Sequence, residues 1–433
     1  MSVPVLKSSL SEKQQKLIRK LLVINPKVLD RRSFKMVPSG KTFHCWVNEE
    51  DHYCLPFAFA FRLLNEDIHD YEGDWKKINV PFVGQLRDYQ EHDTRQAEEL
   101  LDEEGCALLA VYASAGKTLQ STYLATRKGY QTLILYHRKP LRASWMSTMQ
   151  EFFPSACVID VDKKTKTEDL SRADIILCME KRFKYIPESV RYQIGTLIVD
   201  EAHEWYTTTR VIPILYFHPR YLILATATPD KVDGTDDVLK LLIGTDRVYR
   251  ICEKPFTVIK YLTKIVPDTG RWTDVIEGLT LNEERNDLIV RLACEKYRDE
   301  KIIMLSEREE HVIALVNKLR DLGESIDYMA GNKSSYRECR ILLGTMSKIG
   351  TGFDPRTVCE NFDGTPPRVL FILTSIKGHT RLEQCVGRVF RADDPLVVHL
   401  VDENDTIKTH WRQCTIWYKK RNSTILIQKN DQY

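Results

Sequence analysis

Leu108-Leu109-Ala110-Val111-Tyr112-Ala113-Ser114-Ala115-Gly116-Lys117-Thr118 is an apolar run that breaks into a small-residue loop, and a helical stretch follows it. A phosphate chain needs backbone N–H groups turned toward it and the N-terminus of an adjacent helix. It also needs a lysine for the terminal phosphates and a hydroxyl for magnesium, which Lys117 and Thr118 supply after the glycine turn at Gly116. The pattern G-x-x-x-x-G-K-[ST] is incomplete, because Val111 stands where its leading glycine belongs. Alone, the stretch fits an ordinary strand-to-helix turn as well as it fits a phosphate loop.

Working outward, Thr132–Tyr136, Asp174–Cys178, Leu197–Val199 and Tyr221–Ala225 are further short apolar runs separated by helix-length segments. That rhythm predicts a parallel, doubly wound sheet with both faces covered. Leu197-Ile198-Val199-Asp200-Glu201-Ala202-His203 ends its strand in two carboxylates. Ligands of open α/β sheets gather beyond the carboxyl ends of the strands, where Asp200 and Glu201 would meet the loop at Lys117. One carboxylate can hold magnesium while the next orients an attacking water. A lone Asp-Glu is more often a solvated turn, but its position downstream of Gly-Lys-Thr reverses that preference. His203-Glu204 is not read as a zinc motif, since no second histidine follows at helical spacing.

The rhythm returns in Lys301–Leu305, Ile326–Met329, Arg340–Gly344, Val369–Leu373 and Leu396–Val401. The expected organisation is a small N-terminal α+β module over 1–80, an α/β domain over 81–230, a connector over 231–280 and a second α/β domain over 281–433. In the module, Ser11–Leu22 has helical spacing, and Thr42–Val47 with His52–Phe57 reads as a hairpin around Asn48–Asp51. His44, Cys45, His52 and Cys54 cluster there, but their spacing fits no common zinc finger and suits two paired strands.

The 433 residues carry 63 Lys and Arg against 61 Asp and Glu, which excludes a polybasic packaging protein but not a local basic cleft. Apolar residues at 43% and charged residues at 29% describe an ordinary folded chain. Eleven cysteines without a CxxC pair predict reduced thiols. No run approaches the roughly eighteen apolar residues of a membrane span, and MSVPVLKSSL lacks a secretory apolar core. The expectation is a soluble, monomeric intracellular protein of cytoplasm or nucleus.

Several further motifs carry a resemblance. Thr226-Ala227-Thr228-Pro229 follows the Asp-Glu-Ala-His, and Gly350-Thr351-Gly352-Phe353-Asp354 and Gln384-Cys385-Val386-Gly387-Arg388-Val389-Phe390-Arg391 lie in the second half. Leu86-Arg87-Asp88-Tyr89-Gln90 precedes the phosphate loop. In this order, over about residues 85 to 402, the motifs resemble those of superfamily 2 helicases, in the branch that includes XPB, RecG and UvsW. The set looks closest to UvsW and to the poxvirus-type transcript-release helicases of large DNA viruses. Glu284-Arg285-Asn286 resembles the entry to that group's second domain.

The resemblance implies two tandem RecA-like domains that sandwich ATP–Mg²⁺. Lys117, Glu201, Gln384, Arg388 and Arg391 would be catalytic, and Thr118 and Asp200 would hold magnesium. Arg87, Gln90, Ser114, Ala115, Gly116, Lys117 and Thr118 would bind the nucleotide, with Asp354 near its ribose. Gln90 can both donate to and accept from an adenine edge. Arg388 and Arg391, three apart, would project from one helix face as arginine fingers, although two surface arginines in ion pairs is the commoner case. Thr226 and Thr228 would couple hydrolysis to movement.

Nucleic acid would meet His137, Arg138, Lys139 and Lys348, with Ser347, Thr374 and Lys377 as further candidates. Cations at a helix N-terminus oppose the macrodipole by about 0.3–1 kcal/mol each, which favours an anion at His137–Lys139. Trp145 is assigned to the core. The expected protein is an ATP-dependent DNA helicase, with RNA as the lesser alternative, virus-encoded and packaged in the virion, working beside transcription or replication machinery. A duplex translocase that does not separate strands and a catalytically inactive phosphate-loop binding module are the rivals.

Overall fold

A computed structural model describes residues 2–30, 35–231, 233–267, 270–350 and 353–430. The chain forms two compact units, one of Met1–Val111 and Ala115–Arg250 and the other of Ile251–Tyr433 with the short segment Tyr112–Ser114.

The first unit opens with β1 (Ser2–Leu6) and α1 (Glu12–Leu21), followed by β2 (Val47–Asn48), β3 (His52–Pro56) and α2 (Phe57–Leu64). Ser11 and Gln14 form a reciprocal capping box that fixes where α1 begins. The expected hairpin is shorter than its sequence pattern: β2 pairs with β3 around the turn, while Phe43–His44 pairs with Val23–Ile24 instead. β3 also takes β1 as an antiparallel neighbour.

Next come α3 (Asp88–Glu104), β4 (Cys106–Val111), α4 (Lys117–Lys128), β5 (Thr132–Tyr136) and α5 (Lys139–Phe152). Then follow β6 (Val158–Asp160), β7 (Ile175–Met179), β8 (Thr196–Asp200), β9 (Tyr221–Ala225), α6 (Asp237–Ile243) and β10 (Val248–Arg250). The strands make one parallel sheet of order β6-β7-β5-β8-β9-β4-β10. Alternate residues serve different cores. Leu108, Leu135, Val199 and Leu224 join the core of the N-terminal segment, whereas Leu109, Ile134, Ile198 and Ile223 pack with α3, α4 and α5. Burial on both faces explains why the strands read as unbroken apolar runs.

Residues 1–80 therefore share a core with the first sheet. The Ser2 amide donates to the Phe217 carbonyl at 3.0 Å, and the Trp75 indole to the His218 carbonyl at 3.0 Å.

The second unit contains β11 (Phe256–Leu262), α7 (Glu283–Arg291), β12 (Ile302–Ser306), α8 (Glu309–Asp321), β13 (Ile326–Met329) and β14 (Ile341–Thr345). It continues through β15 (Val369–Ile372), α9 (His379–Val386), β16 (Leu396–Val401), α10 (Asp405–Lys420) and β17 (Ser423–Lys429). Its sheet is again wholly parallel, in the order β13-β14-β12-β15-β16-β11-β17. The segment expected as a connector, 231–280, is thus divided between the sheets: β10 closes the first and β11 lies inside the second. Arg250 anchors β10 to α3 by donating to both carboxylate oxygens of buried Asp93 at 2.9 Å.

Candidate nucleotide and nucleic-acid site

The loop from β4 to α4 turns through two left-handed residues, Ser114 (φ +74°) and Gly116 (φ +88°), and Gly116 caps α4. A side chain at Gly116 would be strained by that φ and would run into the Gln90 amide. The Ala115 carbonyl accepts from Gln90 Nε2 at 3.0 Å, Gln120 Nε2 at 3.1 Å and Tyr89 at 3.3 Å. The loop is thus held from α3 and α4. Lys117 Nζ donates to the Val111 carbonyl at 3.4 Å, so the position lacking the leading glycine supports the lysine through its backbone.

Gln90 differs from the expected adenine reader in its present partners. Its Oε1 accepts from the Arg87 amide at 3.0 Å, its Nε2 is engaged on Ala115, and the residue is buried. Arg87 caps α3 and donates to the Tyr89 hydroxyl at 3.1 Å. A concavity of about 520 Å³ is lined by Gln85–Tyr89.

Asp200 lies at the carboxyl end of β8, fully withdrawn from solvent. Its Oδ2 accepts from the Trp145 indole N–H at 2.9 Å and its Oδ1 from the Glu201 amide at 2.9 Å. Burial, reinforced by the adjacent Glu201 charge, raises its pKa from 3.8 to about 6, while the Trp145 bond and the Lys117 charge act in the opposite direction. Glu201 takes a left-handed conformation (φ +49°), and its buried Oε2 makes no hydrogen bond, with His203 Nδ1 at 3.5 Å. Two adjoining carboxylates, one orphaned buried oxygen, a lysine and the Thr118 hydroxyl at the start of α4 form a donor set suited to a nucleotide with a divalent cation.

His203 Nδ1 and Thr226 Oγ1 are 2.8 Å apart. The same hydroxyl accepts from the Thr228 amide at 3.1 Å, and the Thr226 amide donates to the Leu109 carbonyl at 3.1 Å. Thr226 therefore joins the carboxylate turn to the strand that feeds the phosphate loop. At the end of β5, His137 is buried, both its ring nitrogens lack hydrogen bonds, and burial lowers its pKa to about 4. It is a neutral ring at neutral pH, so the positive charge at this strand end belongs to Arg138 and Lys139, which are exposed beside it.

In the second unit, Thr351 and Gly352 of the expected fifth motif lie outside the described residues. Asp354 is buried and accepts from Arg391 at 2.8 and 3.0 Å and from Arg356 at 2.8 Å, which holds its carboxyl far below the usual range. Arg388 donates to the carbonyls of Gln384 at 3.0 Å, Phe353 at 2.5 Å and Gly350 at 2.9 Å. Both arginines stand past the end of α9, which stops at Val386, so a common helix face is not what aligns them. They converge because Arg388 binds the Gly350 and Phe353 carbonyls and Arg391 binds the adjoining Asp354 carboxylate. Ser347 is exposed, Lys348 half-buried, Lys377 exposed, and buried Thr374 has an Oγ1 without a hydrogen bond.

Arg285 is fully buried and donates to Asp402 at 2.9 and 3.1 Å and to the Leu373 carbonyl. This is a structural role for the Glu-Arg-Asn sequence. Trp145 and Gln120 were not among the expected site residues; the Trp145 indole N–H reaches Asp200 across 55 positions that no local motif records, whereas Gln120 lies only five positions beyond the Ala115 carbonyl it holds.

Comparison with known proteins adds to this geometry. A family model described as "Type III restriction enzyme, res subunit" matches residues 84–231. The helicase-named protein 161L of invertebrate iridescent virus 6 is 24% identical, covering 93% of this chain and 97% of its own length. The helicase-named protein 109L of invertebrate iridescent virus 3 is 33% identical, covering 50% of this chain and 69% of its own length. The chain belongs to the superfamily 2 helicases. The helicase is also 23% identical to Transcript termination protein A18 of vaccinia virus (strain Tian Tan), over 65% of this chain and 62% of that protein. Its fold is like that of S. cerevisiae Dbp5 bound to RNA and ADP BeF3, with TM-score 0.55 and 12% identity over 78% of this chain and 90% of that one. The two units are tandem RecA-like domains, and the helicase is a nucleic-acid-dependent ATPase. No helix among the described residues is long and apolar enough to cross a membrane.

Proposed function

We propose that the helicase uses ATP–Mg²⁺ to move along DNA and separate its strands, in the service of viral transcript termination. The observation that carries the chemistry is the pair Asp200–Glu201 at the end of β8, with buried Asp200 oriented by Trp145 and the buried Oε2 of half-buried Glu201 without a hydrogen bond. Thr118 and Asp200 would hold a magnesium ion, which when bound would neutralise phosphate charge. Lys117 supplies a fixed positive charge to the terminal phosphates, and Glu201 orients and deprotonates the attacking water. Arg388 holds the Gly350 and Phe353 carbonyls, and Arg391, presented by Asp354, stabilises charge that develops in the transition state.

Gln90 sets the phosphate loop and reads adenine with what remains of its amide. Thr226 and Thr228 relay the state of the carboxylate turn through His203. Arg138, Lys139 and Lys348 contact the nucleic-acid backbone. The printed name of the vaccinia relative, Transcript termination protein, supports the transcription role. The motif likeness to the XPB and UvsW branch supports DNA. The deciding experiment measures ATP hydrolysis with single-stranded DNA, duplex DNA, forked DNA and RNA in parallel, together with strand displacement. Stimulation by DNA with displacement of a forked strand is expected. Stimulation by RNA alone overturns the DNA assignment, and hydrolysis without displacement favours a duplex translocase.

A further inference from the structure

The near-neutral total charge hides a marked asymmetry. Residues 1–48 hold ten lysines and arginines against two acids, Glu12 and Asp30, a net charge of +8 in a chain whose total is +2. The other residues together are net acidic. On α1, Lys13, Lys16, Arg19 and Lys20 are all exposed while Ile18 is buried. Lys13, Lys16 and Lys20 follow one another at three- and four-residue steps, so they form a stripe along the outer face. Lys27, Lys35 and Lys41, farther along the same segment, are exposed as well.

Among the described residues none of these seven side chains is paired with a carboxylate. Elsewhere exposed cations commonly are: Arg127 meets Glu98 at 2.8 Å, Arg142 meets Asp160 at 2.6 Å and Lys240 meets Asp237 at 2.7 Å. The contrast has an energetic meaning. Like charges three or four apart on a helix cost about 0.2–0.5 kcal/mol per pair. The helix macrodipole offsets this for Arg19 and Lys20 in the last turn, but it opposes Lys13 near the first. An external polyanion removes the repulsion that the chain itself leaves uncompensated.

Two observations select the polyanion. The helicase already acts on nucleic acid, and this segment is fixed to its first sheet through a common core and through the Ser2–Phe217 bond. Secondly, the exposed described residues among 2–48 include no Phe, Tyr or Trp. A single-strand site needs aromatic faces on which unpaired bases stack, whereas a duplex offers only its phosphate rows to a cationic helix. We propose that α1, with Lys27, Lys35 and Lys41, is a second nucleic-acid site that grips the phosphate backbone of a duplex independently of sequence. The site rests on the nucleic-acid-dependent activity of the helicase. DNA as the duplex rests on the proposed function, which the hydrolysis comparison above tests separately.

The test uses the full chain carrying K13Q, K16Q, R19Q and K20Q, with fluorescence anisotropy of a labelled duplex DNA and a duplex RNA over a range of salt. Glutamine keeps helix propensity and removes only charge. Each lost phosphate contact lowers the slope of log K against log salt by about 0.9, so four should lower it by about 3.6, with an affinity loss of about tenfold or more at low salt. K27Q, K35Q and K41Q together should give a smaller loss in the same direction. K13R, K16R and K20R should bind as the natural chain does, which separates charge from any damage to the helix. Unchanged affinity and slope in both glutamine variants overturns the site. So does a variant that keeps duplex binding but no longer binds phosphatidylserine vesicles, because the patch would then face a membrane.

Discussion

Asp200 and Trp145 show how much of this site is made by side chains that touch no ligand. A buried carboxylate resists ionisation, and the indole N–H bonded to Oδ2 at 2.9 Å offsets part of that resistance while fixing the direction of the oxygen. Trp145→Phe keeps the ring in the core and deletes only the donor. Groups that orient a metal ligand are commonly worth tenfold to a hundredfold in metal affinity, so half-saturating Mg²⁺ for hydrolysis should rise about tenfold or more. A magnesium titration of ATPase activity checks this; an unchanged midpoint would reduce Trp145 to packing. Glu201→Gln is the complementary case, because the amide retains size but loses the negative charge that activates water. Hydrolysis should fall by about a hundredfold or more while nucleotide binding persists. Equilibrium binding of a fluorescent ATP analogue, measured beside turnover, distinguishes that outcome from simple loss of the site.

At the scale of elements, buried polar links join turns whose strands are already paired. His311 is the clearest in the second unit: its Nε2 donates to Asn286 Oδ1 at 2.9 Å and its Nδ1 lies 2.9 Å from the Ser306 hydroxyl, tying α8 to α7 and β12. Burial lowers its pKa from 6.5 to about 3. A histidine kept neutral by the fold contributes stability that is fully present above its unfolded pKa and is lost as pH falls toward the folded value. Between pH 7.5 and 5 this single group should cost about 2 kcal/mol. Urea denaturation at the two pH values should show a flatter pH dependence for His311→Gln than for the natural chain, and equal dependences would remove His311 as the source.

The same scale shows what the sequence makes visible. β5, β9 and β16 have the limits their apolar runs predict, because burial on both faces makes a continuous signal, and the edge strand β13 matches its expected limits while only alternate residues are buried. β6 and β10 are three residues each, and the edge strand β17 is largely exposed, so none produces such a run. β11 is interrupted by Lys260, and the turn residues around it suggested a connector. In the site, Lys117, Asp200 and Glu201 are legible since each motif is local. The bonds from Trp145 to Asp200 and from Gln90 to Ala115 span 55 and 25 positions and leave no local pattern. Arg388 and Arg391 are legible as a pair, but their adjoining partners, the Phe353 carbonyl and the Asp354 carboxylate, lie 35 and 37 positions away and only the fold reveals them.

For the whole molecule, the division at Arg250 changes how the two-domain mechanism should be tested. A fragment of residues 81–230 would lack β10 and the N-terminal segment that shares the core of the first sheet. It would expose Leu108, Leu135, Val199 and Leu224, each now fully or almost fully buried, and should aggregate. Residues 1–250 retain the whole sheet, the phosphate loop, Asp200 and Glu201, and should fold and bind ATP weakly. If Arg391 supplies charge to the transition state, this longer fragment should hydrolyse ATP negligibly, with or without DNA. Arg391→Ala in the full chain should reproduce the defect with nucleotide binding nearly intact, since a contact made mainly in the transition state affects turnover more than ground-state affinity. It also leaves Asp354 with Arg356 as its remaining ion-pair partner, so Asp354→Asn serves as the comparison. Releasing Arg391 from its carboxylate should lower turnover less than removing the guanidinium altogether. Full hydrolytic activity in residues 1–250 would defeat the participation of the second domain, whatever the two point variants show.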